Sequence, residues 1–230
     1  MRMMSSKEQP IQRAIAKLVA KEALAPEEIF DTLEDIKSGN ASEAQIAGFI
    51  MGLAMKGVNT DELAAIAEYM RRNAIIIRPR VKAQLIDTCG TGGGVLTFNV
   101  STANALIAAA ANVPVAKHGS RSISHRSGSA DVLEKLGVNI NLTKHQAEKL
   151  IEEVGFAFLY APLFHPVMSK VLGPESKLGI KTIFYTVIGP LINPAHVKAH
   201  VLGVYRQQLV EPVAHVLAKL GYVKALGVHG

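Results

Sequence analysis

Two spacings of apolar positions divide the chain. Up to Met70 they recur every three to four residues, which predicts amphipathic helices. Ile11, Ala14, Ile15 and Leu18 share one face behind Pro10, whose fixed φ suits a first helical position. Pro26 opens a second helix, with Glu27 and Glu28 in the first turn, where negative charge complements the helix dipole, and Ile29, Leu33 and Ile36 behind. Ser38-Gly39-Asn40 stops it. Ser42 and Gln45 have capping-box spacing ahead of Ile46, Ile50 and Leu53. Gly57 ends that helix, and Thr60 is expected to cap a fourth carrying Leu63, Ile66, Ala67 and Met70.

From Gln84 the rhythm changes to short apolar runs alternating with helical stretches. Gln84–Asp87, Val113–Ala116, Phe156–Tyr160, Val201–Tyr205 and Val223–Val228 read as strands. Helices are expected over Ser101–Ala111, near Asp131–Leu136 and around Val210–Leu220. Strand alternating with helix predicts a mostly parallel sheet covered by helices, with ligands at the C-terminal strand edges. The expected fold is therefore α/β: a small N-terminal helical domain, residues 1–80, and a larger α/β domain with a mostly parallel sheet, residues 81–230.

Composition narrows the function. Hydrophobic residues are 49% and charged residues 19%, which excludes a disordered chain. The single cysteine, Cys89, excludes an intramolecular disulfide framework. Aromatic residues are 5%, with no tryptophan, which speaks against stacking bases on aromatic platforms. The N-terminus lacks a signal-peptide apolar region, and the most apolar stretch, Ala105–Ala116, is too short to span a bilayer. A cytoplasmic protein bound to neither membrane nor nucleic acid is expected. The net charge of +6 favours an anionic partner without choosing one.

Two loops at predicted strand ends make the choice. Gly90-Thr91-Gly92-Gly93-Gly94 follows Asp87-Thr88-Cys89, and a turn so poor in β-carbons lets backbone N–H groups close on an anion. Thr97, Asn99, Ser101 and Thr102 then fall where a helix begins, a place that suits phosphate. The string is neither a Walker A loop nor a dinucleotide GxGxxG, and a plain tight turn is its bland reading. The second loop, Lys117–Ser129, holds two Arg, one Lys, two His and five Ser. Cations and hydroxyls together suit a pyrophosphate; a solvated basic loop or an RNA-backbone patch is the alternative. No Asp or Glu occurs from Thr88 to Ala130, which favours a pocket for a small phosphorylated ligand. Cys89 reads as a small buried hydrophobe, and His145, His165, His196, His200 and His215 have no metal-ligand spacing. His165-Pro166 and Asn193-Pro194 read as turns.

The strings DTCGTGG, TFNVSTA, VAKHGSRSISHRSGSADVLEKLGV and KTIF…GPLINPA resemble the anthranilate phosphoribosyltransferases, which share their fold with nucleoside phosphorylases. The resemblance implies transfer of phosphoribosyl from phosphoribosyl pyrophosphate (PRPP) to the amine of anthranilate in tryptophan biosynthesis, with Mg²⁺, by a homodimer joined through the helical domain. It implies a first PRPP loop of Gly90, Gly93, Gly94, Thr97, Asn99, Val100, Ser101 and Thr102, with Ser101 also a Mg²⁺ ligand. It implies a second of Lys117, His118, Gly119, Ser120, Arg121, Ser122, Ile123, Ser124, His125 and Ser129. Gly90, Ser120 and Lys181 fall at anthranilate contacts. No general base is implied, because a neutral aniline amine is already nucleophilic.

The chain departs from that pattern at several points. Gly94 stands where the family's glycine loop continues with Asp, Ser120 replaces an Asn, and Lys181 replaces an Arg, losing a bidentate fork. The segment after Phe184, YTVIGP, is one residue longer and lacks an Asn. The family also runs further and carries an acidic pair for Mg²⁺ beyond this point, so the C-terminal part of the sheet domain is expected to be missing. A fragment, or a non-catalytic paralogue that binds phosphoribosyl or pyrophosphate ligands without turnover, is the alternative to an active enzyme. A nucleoside phosphorylase and a basic nucleic-acid binder fit the strings less well.

Overall fold

The computed structural model describes residues 8–92, 98–121 and 127–230. Four helices come first: α1 (Pro10–Val19), α2 (Pro26–Ser38), α3 (Glu43–Lys56) and α4 (Thr60–Arg72). Pro10 and Pro26 occupy first helical positions, and Gly39 ends α2 in the left-handed region at φ 78°. Ser42 and Gln45 make the expected reciprocal cap. The fourth cap differs from expectation. Asn59, not Thr60, is the N-cap: its side-chain oxygen accepts from the Glu62 N–H at 2.8 Å, and its own N–H donates to Glu62 at 3.0 Å. An Asn side chain supplies the same acceptor as a hydroxyl, so cap chemistry alone does not separate the two neighbours.

The remainder builds a five-stranded, all-parallel sheet, ordered β3-β2-β1-β4-β5. The strands are β1 (Ile86–Asp87), β2 (Val115–Gly119), β3 (Phe156–Tyr160), β4 (Ala199–Gly203) and β5 (Lys224–Val228). Between them run α5 (Val100–Ala110), α6 (Ser129–Lys135), α7 (Lys144–Val154), α8 (Ala161–Phe164), α9 (Pro166–Leu178), α10 (Gly189–Leu191) and α11 (Val210–Lys219). The expected strands and helices fall within a few residues of these bounds. Helices α7 and α9 have no counterpart among the elements expected from the apolar pattern.

The segment after Phe184, expected from the resemblance to hold one residue more than the family's, takes an uncommon form. Phe184–Ile188 forms a π-helical turn in which the Ile188 N–H reaches back five residues to the Ile183 carbonyl at 2.9 Å. A π-turn is how a helix absorbs one extra residue, and such turns concentrate at functional sites.

The largest core is shared between the two parts of the chain. Leu33, Phe49, Ile50 and Ile66 of α2–α4 pack in one cluster with Val171 of α9, Phe184 of the π-turn and Val216 of α11. Phe49 and Phe184 meet with ring centroids 6.3 Å apart. A smaller core lies under α7, where Ala147 and Ile151 meet Ala116, Ala157 and Leu159 of the sheet.

Candidate functional site

Strand order places the site. From β1 the chain moves outward to β2 and β3, then returns to the other side of β1 for β4 and β5. In an open parallel sheet the crevice forms where that direction reverses, beyond the strands' carboxyl ends. The reversal lies between β1 and β4; of the two loops singled out by the sequence, the one after β1 borders it and the one after β2 leaves the next strand's carboxyl end.

They line one cleft of about 470 Å³, within the roughly 300–1,000 Å³ of small-ligand sites. Gly90, Asn99, Ser101, Lys117, His118, Gly119, Ser120, Arg121 and Ser129 all face it. Two glycines are required by close approach. A β-carbon on Gly90 would stand 2.9 Å from the Gly203 carbonyl oxygen, and one on Gly119 would press on the Phe158 ring at 3.0 Å. The neighbouring Thr91 N–H donates to the same Gly203 carbonyl at 2.9 Å, fastening the first loop to β4.

Three expected site residues lie off the lining. Val100 is exposed at the start of α5, its β-branched side chain turned to solvent. Thr102 is buried and donates to the Ser129 hydroxyl at 3.0 Å, so it links the two loops from behind. Lys181 is exposed, with Nζ 5.4 Å from the Tyr185 ring; Tyr185 itself faces the cleft. Gly93, Gly94, Thr97, Ser122, Ile123, Ser124 and His125 lie outside the described residues.

The charged groups are held differently. Lys117 is buried, and its ammonium donates to the His118 carbonyl at 2.8 Å. Arg121 is half-exposed and pairs with Asp131 at 3.2 Å and Glu134 at 2.5 Å on α6. Those partners raise its pKa further, so it stays a cation at any working pH. A phosphate at Arg121 would compete with two carboxylates.

The opposite wall comes from the segment that holds His165-Pro166, read as a turn, and the KTIF…GPLINPA string. Met168 and Leu172 of α9, Phe184 and Thr186 of the π-turn, and Pro190 and Ile192 make it largely apolar. His165 stands among them, its ring centroid 5.0 Å from that of His118. Burial holds His165 down to about 3 and keeps His118 well below the usual imidazole range, so both are neutral near pH 7. His118 Nδ1 lies 3.0 Å from the Gly189 carbonyl, an acceptor, so the proton is assigned to Nδ1 and Nε2 is left as an acceptor. Both His165 nitrogens and His118 Nε2 are buried without a partner among the described residues. The signal that could have found this wall is His165-Pro166 followed, 24 residues after the histidine, by GPLINPA.

Asp87, Cys89 and His118 offer potential metal ligands within 4.8 Å of one another. The Asp87 carboxylate already accepts four N–H bonds, however, so the group is a hydrogen-bonded knot. Burial pushes the Cys89 thiol up to about 12, as expected of a packed rather than reactive cysteine. For Mg²⁺, a hard cation that takes carboxylate and phosphate oxygens, the fit is poor. Among the described residues the cleft lining holds hydroxyls, including Ser101, and no carboxylate.

Comparison with known proteins agrees with this geometry. The sequence model for the "glycosyl transferase family, a/b domain" matches residues 82–230, and that for its "helical bundle domain" matches residues 12–74. The chain belongs to this glycosyl transferase family. Within the family it is 49% identical to an anthranilate phosphoribosyltransferase of Thermoanaerobacter sp. (strain X514), over 96% of this chain and 65% of that one. To the enzyme of the same name from Acetivibrio thermocellus it is 50% identical, over 96% and 64%. The crystal structure of anthranilate phosphoribosyltransferase from Thermus thermophilus superposes with a TM-score of 0.86 at 41% identity, covering 94% of this chain and 65% of that one. The Saccharomyces cerevisiae enzyme in complex with PRPP and Mg gives 0.83 at 28%, covering 94% and 64%. The chain thus spans about 65% of the length of the curated relatives it matches.

Proposed function

We propose that the chain carries the phosphoribosyl pyrophosphate cleft and acceptor wall of an anthranilate phosphoribosyltransferase. The observation that carries this reading is the pairing of the two walls. Glycine-rich and Lys/Ser-rich loops at the carboxyl ends of β1 and β2 face an apolar wall with neutral imidazoles, across a cavity of ligand size. The first wall suits a diphosphate and the second an aromatic amine. The relatives' names and the yeast complex with PRPP and Mg support both assignments.

The chemistry asks for position more than for acid or base. The bond between ribose C1 and the pyrophosphate oxygen breaks with oxocarbenium character, so charge grows on the leaving diphosphate. Backbone N–H groups near Gly90 and Gly119, the Ser101 and Ser129 hydroxyls and the Lys117 side of the cleft would stabilise that charge. The aromatic amine attacks C1 as the neutral base. Neutral His118 and His165 keep that wall uncharged, so no cation there competes for C1 or repels the oxocarbenium. Mg²⁺, when bound, neutralises diphosphate charge; Ser101 is the described residue that would join it there.

Beyond the cleft, residues 1–80 act as a helical unit and residues 81–230 as the ligand-binding unit, in a cytoplasmic homodimer serving tryptophan synthesis. The exposed Val19 and Met55 on α1 and α3 support an interface on the helical unit. Anthranilate fluorescence tests the activity: it should fall on adding PRPP and Mg²⁺, and only with both. A second reading, binding without turnover, is favoured by the lack of a carboxylate among the described lining residues. Steady fluorescence with PRPP bound would select it.

A further inference from the structure

Asp87 and Asn193 do not face the cleft, and both are fully buried. At the end of β1 the strand ladder stops: Ile86 pairs with Val115, and no further β1–β2 pair follows. The Asp87 side chain takes over there. Its Oδ1 accepts the N–H of Thr88 at 2.7 Å and of Cys89 at 3.0 Å, which open the first loop. The same oxygen accepts the N–H of His118 at 3.3 Å, where β2 runs into the second loop. Oδ2 accepts from Asn193 Nδ2 at 2.7 Å. That amide also donates to the Ala116 carbonyl on β2 at 2.8 Å, and Asn193 Oδ1 accepts the Ala195 N–H at 2.8 Å.

One carboxylate thus fastens both ligand loops, and one amide fastens the carboxylate to β2 and to the segment that carries the acceptor wall. Parting strands make room for the cleft, but they leave backbone donors that a buried site must satisfy. Hydrogen bonds to a carboxylate are the strong kind, so they suit a point where two loops must keep their spacing. We propose that Asp87 and Asn193 are a positioning pair that sets the distance between the two phosphate-binding loops. The pair rests on the reading of the cleft as a PRPP site only for the identity of the ligand.

A ligand that bridges both loops should therefore feel the pair, and one that fits a single loop should not. In Asp87→Asn the new amide would face the Asn193 amide, donor against donor, with volume unchanged. Calorimetry on the full chain should show PRPP and inorganic pyrophosphate binding weakened at least about tenfold, the order of one lost charge-assisted hydrogen bond. Inorganic phosphate should change by less than about threefold on the same grounds. The swapped variant Asp87→Asn/Asn193→Asp again sets a donor against an acceptor, and it should bind pyrophosphate more tightly than the product of the two single effects allows. Equal weakening of phosphate and pyrophosphate would overturn the proposal, because it would mean a general loss of fold. So would strictly additive singles. Amide hydrogen exchange decides the same question without ligand: the Thr88, Cys89 and His118 amides should open together in Asp87→Asn while the α7 amides stay protected. Unchanged protection at those three amides would overturn the pair. Failure of the wild-type chain to bind PRPP would instead count against the cleft's assignment, with the exchange result still deciding the pair.

Discussion

At the residue scale, burial governs the histidines of the site. His118, His165 and His200 are each nearly inaccessible, and desolvation is the leading cause of their lowered pKa values. In the unfolded chain protonation begins near 6.5, the ordinary value, whereas folded His165 resists it down to about 3. Stability is therefore full above that ordinary value and falls as pH drops through the interval, by roughly 1 kcal/mol per pH unit for His165, with His118 and His200 acting in the same direction. Urea midpoints measured between about pH 7 and pH 4 should drop steeply, and His165→Gln should flatten the slope. Gly90 makes a second point at this scale. A methyl there meets the Gly203 backbone oxygen, which cannot rotate away, so Gly90→Ala should cost about 1–3 kcal/mol and shift the first loop. Urea unfolding together with pyrophosphate calorimetry would register both effects.

At the element scale, local chemistry sets most helix ends, and it is here that the sequence is most legible. Pro10, Pro26, Ser42 and Gly57 punctuate the chain where their backbone and side-chain chemistry predicts. The strands are legible from their apolar runs because each central one is buried on both faces, as at Val115–His118. The acceptor wall is not. Its helices follow β3 with a Pro inside α9 and a π-turn after it, and neither gives a clean periodic signal. The positioning role of Asn193 is hidden too, because its partners Asp87 and Ala116 lie 106 and 77 residues away in sequence. The cap on α4 offers a direct check on local reasoning: Asn59→Ala should cost about 1 kcal/mol, and Thr60→Ala much less. Equal losses in thermal unfolding would restore Thr60 as the cap.

At the scale of the whole molecule, the helical unit and the sheet unit are joined by more than a linker. Phe49 of α3 and Phe184 of the π-turn sit in one continuous core, and Phe184 also lines the cleft. Helix packing on one side and ligand geometry on the other therefore meet at a single ring. Phe49→Ala should cost about 3–5 kcal/mol and loosen the acceptor wall, although Phe49 is absent from the lining. Fluorescence and circular dichroism should then report one shared unfolding transition rather than two. Two separate transitions would mean that the units fold independently.

The central claim is that two loops held at the carboxyl ends of β1 and β2 form a phosphoribosyl diphosphate site. Titration of the full chain with PRPP by calorimetry, with and without Mg²⁺, tests it most directly, with Gly119→Val, whose side chain presses on Phe158 and Ser129 at the base of the second loop, as the control. The account predicts one saturable site per chain, competed by pyrophosphate and lost in the control. No heat of binding under either condition, or binding unchanged by Gly119→Val, would contradict it.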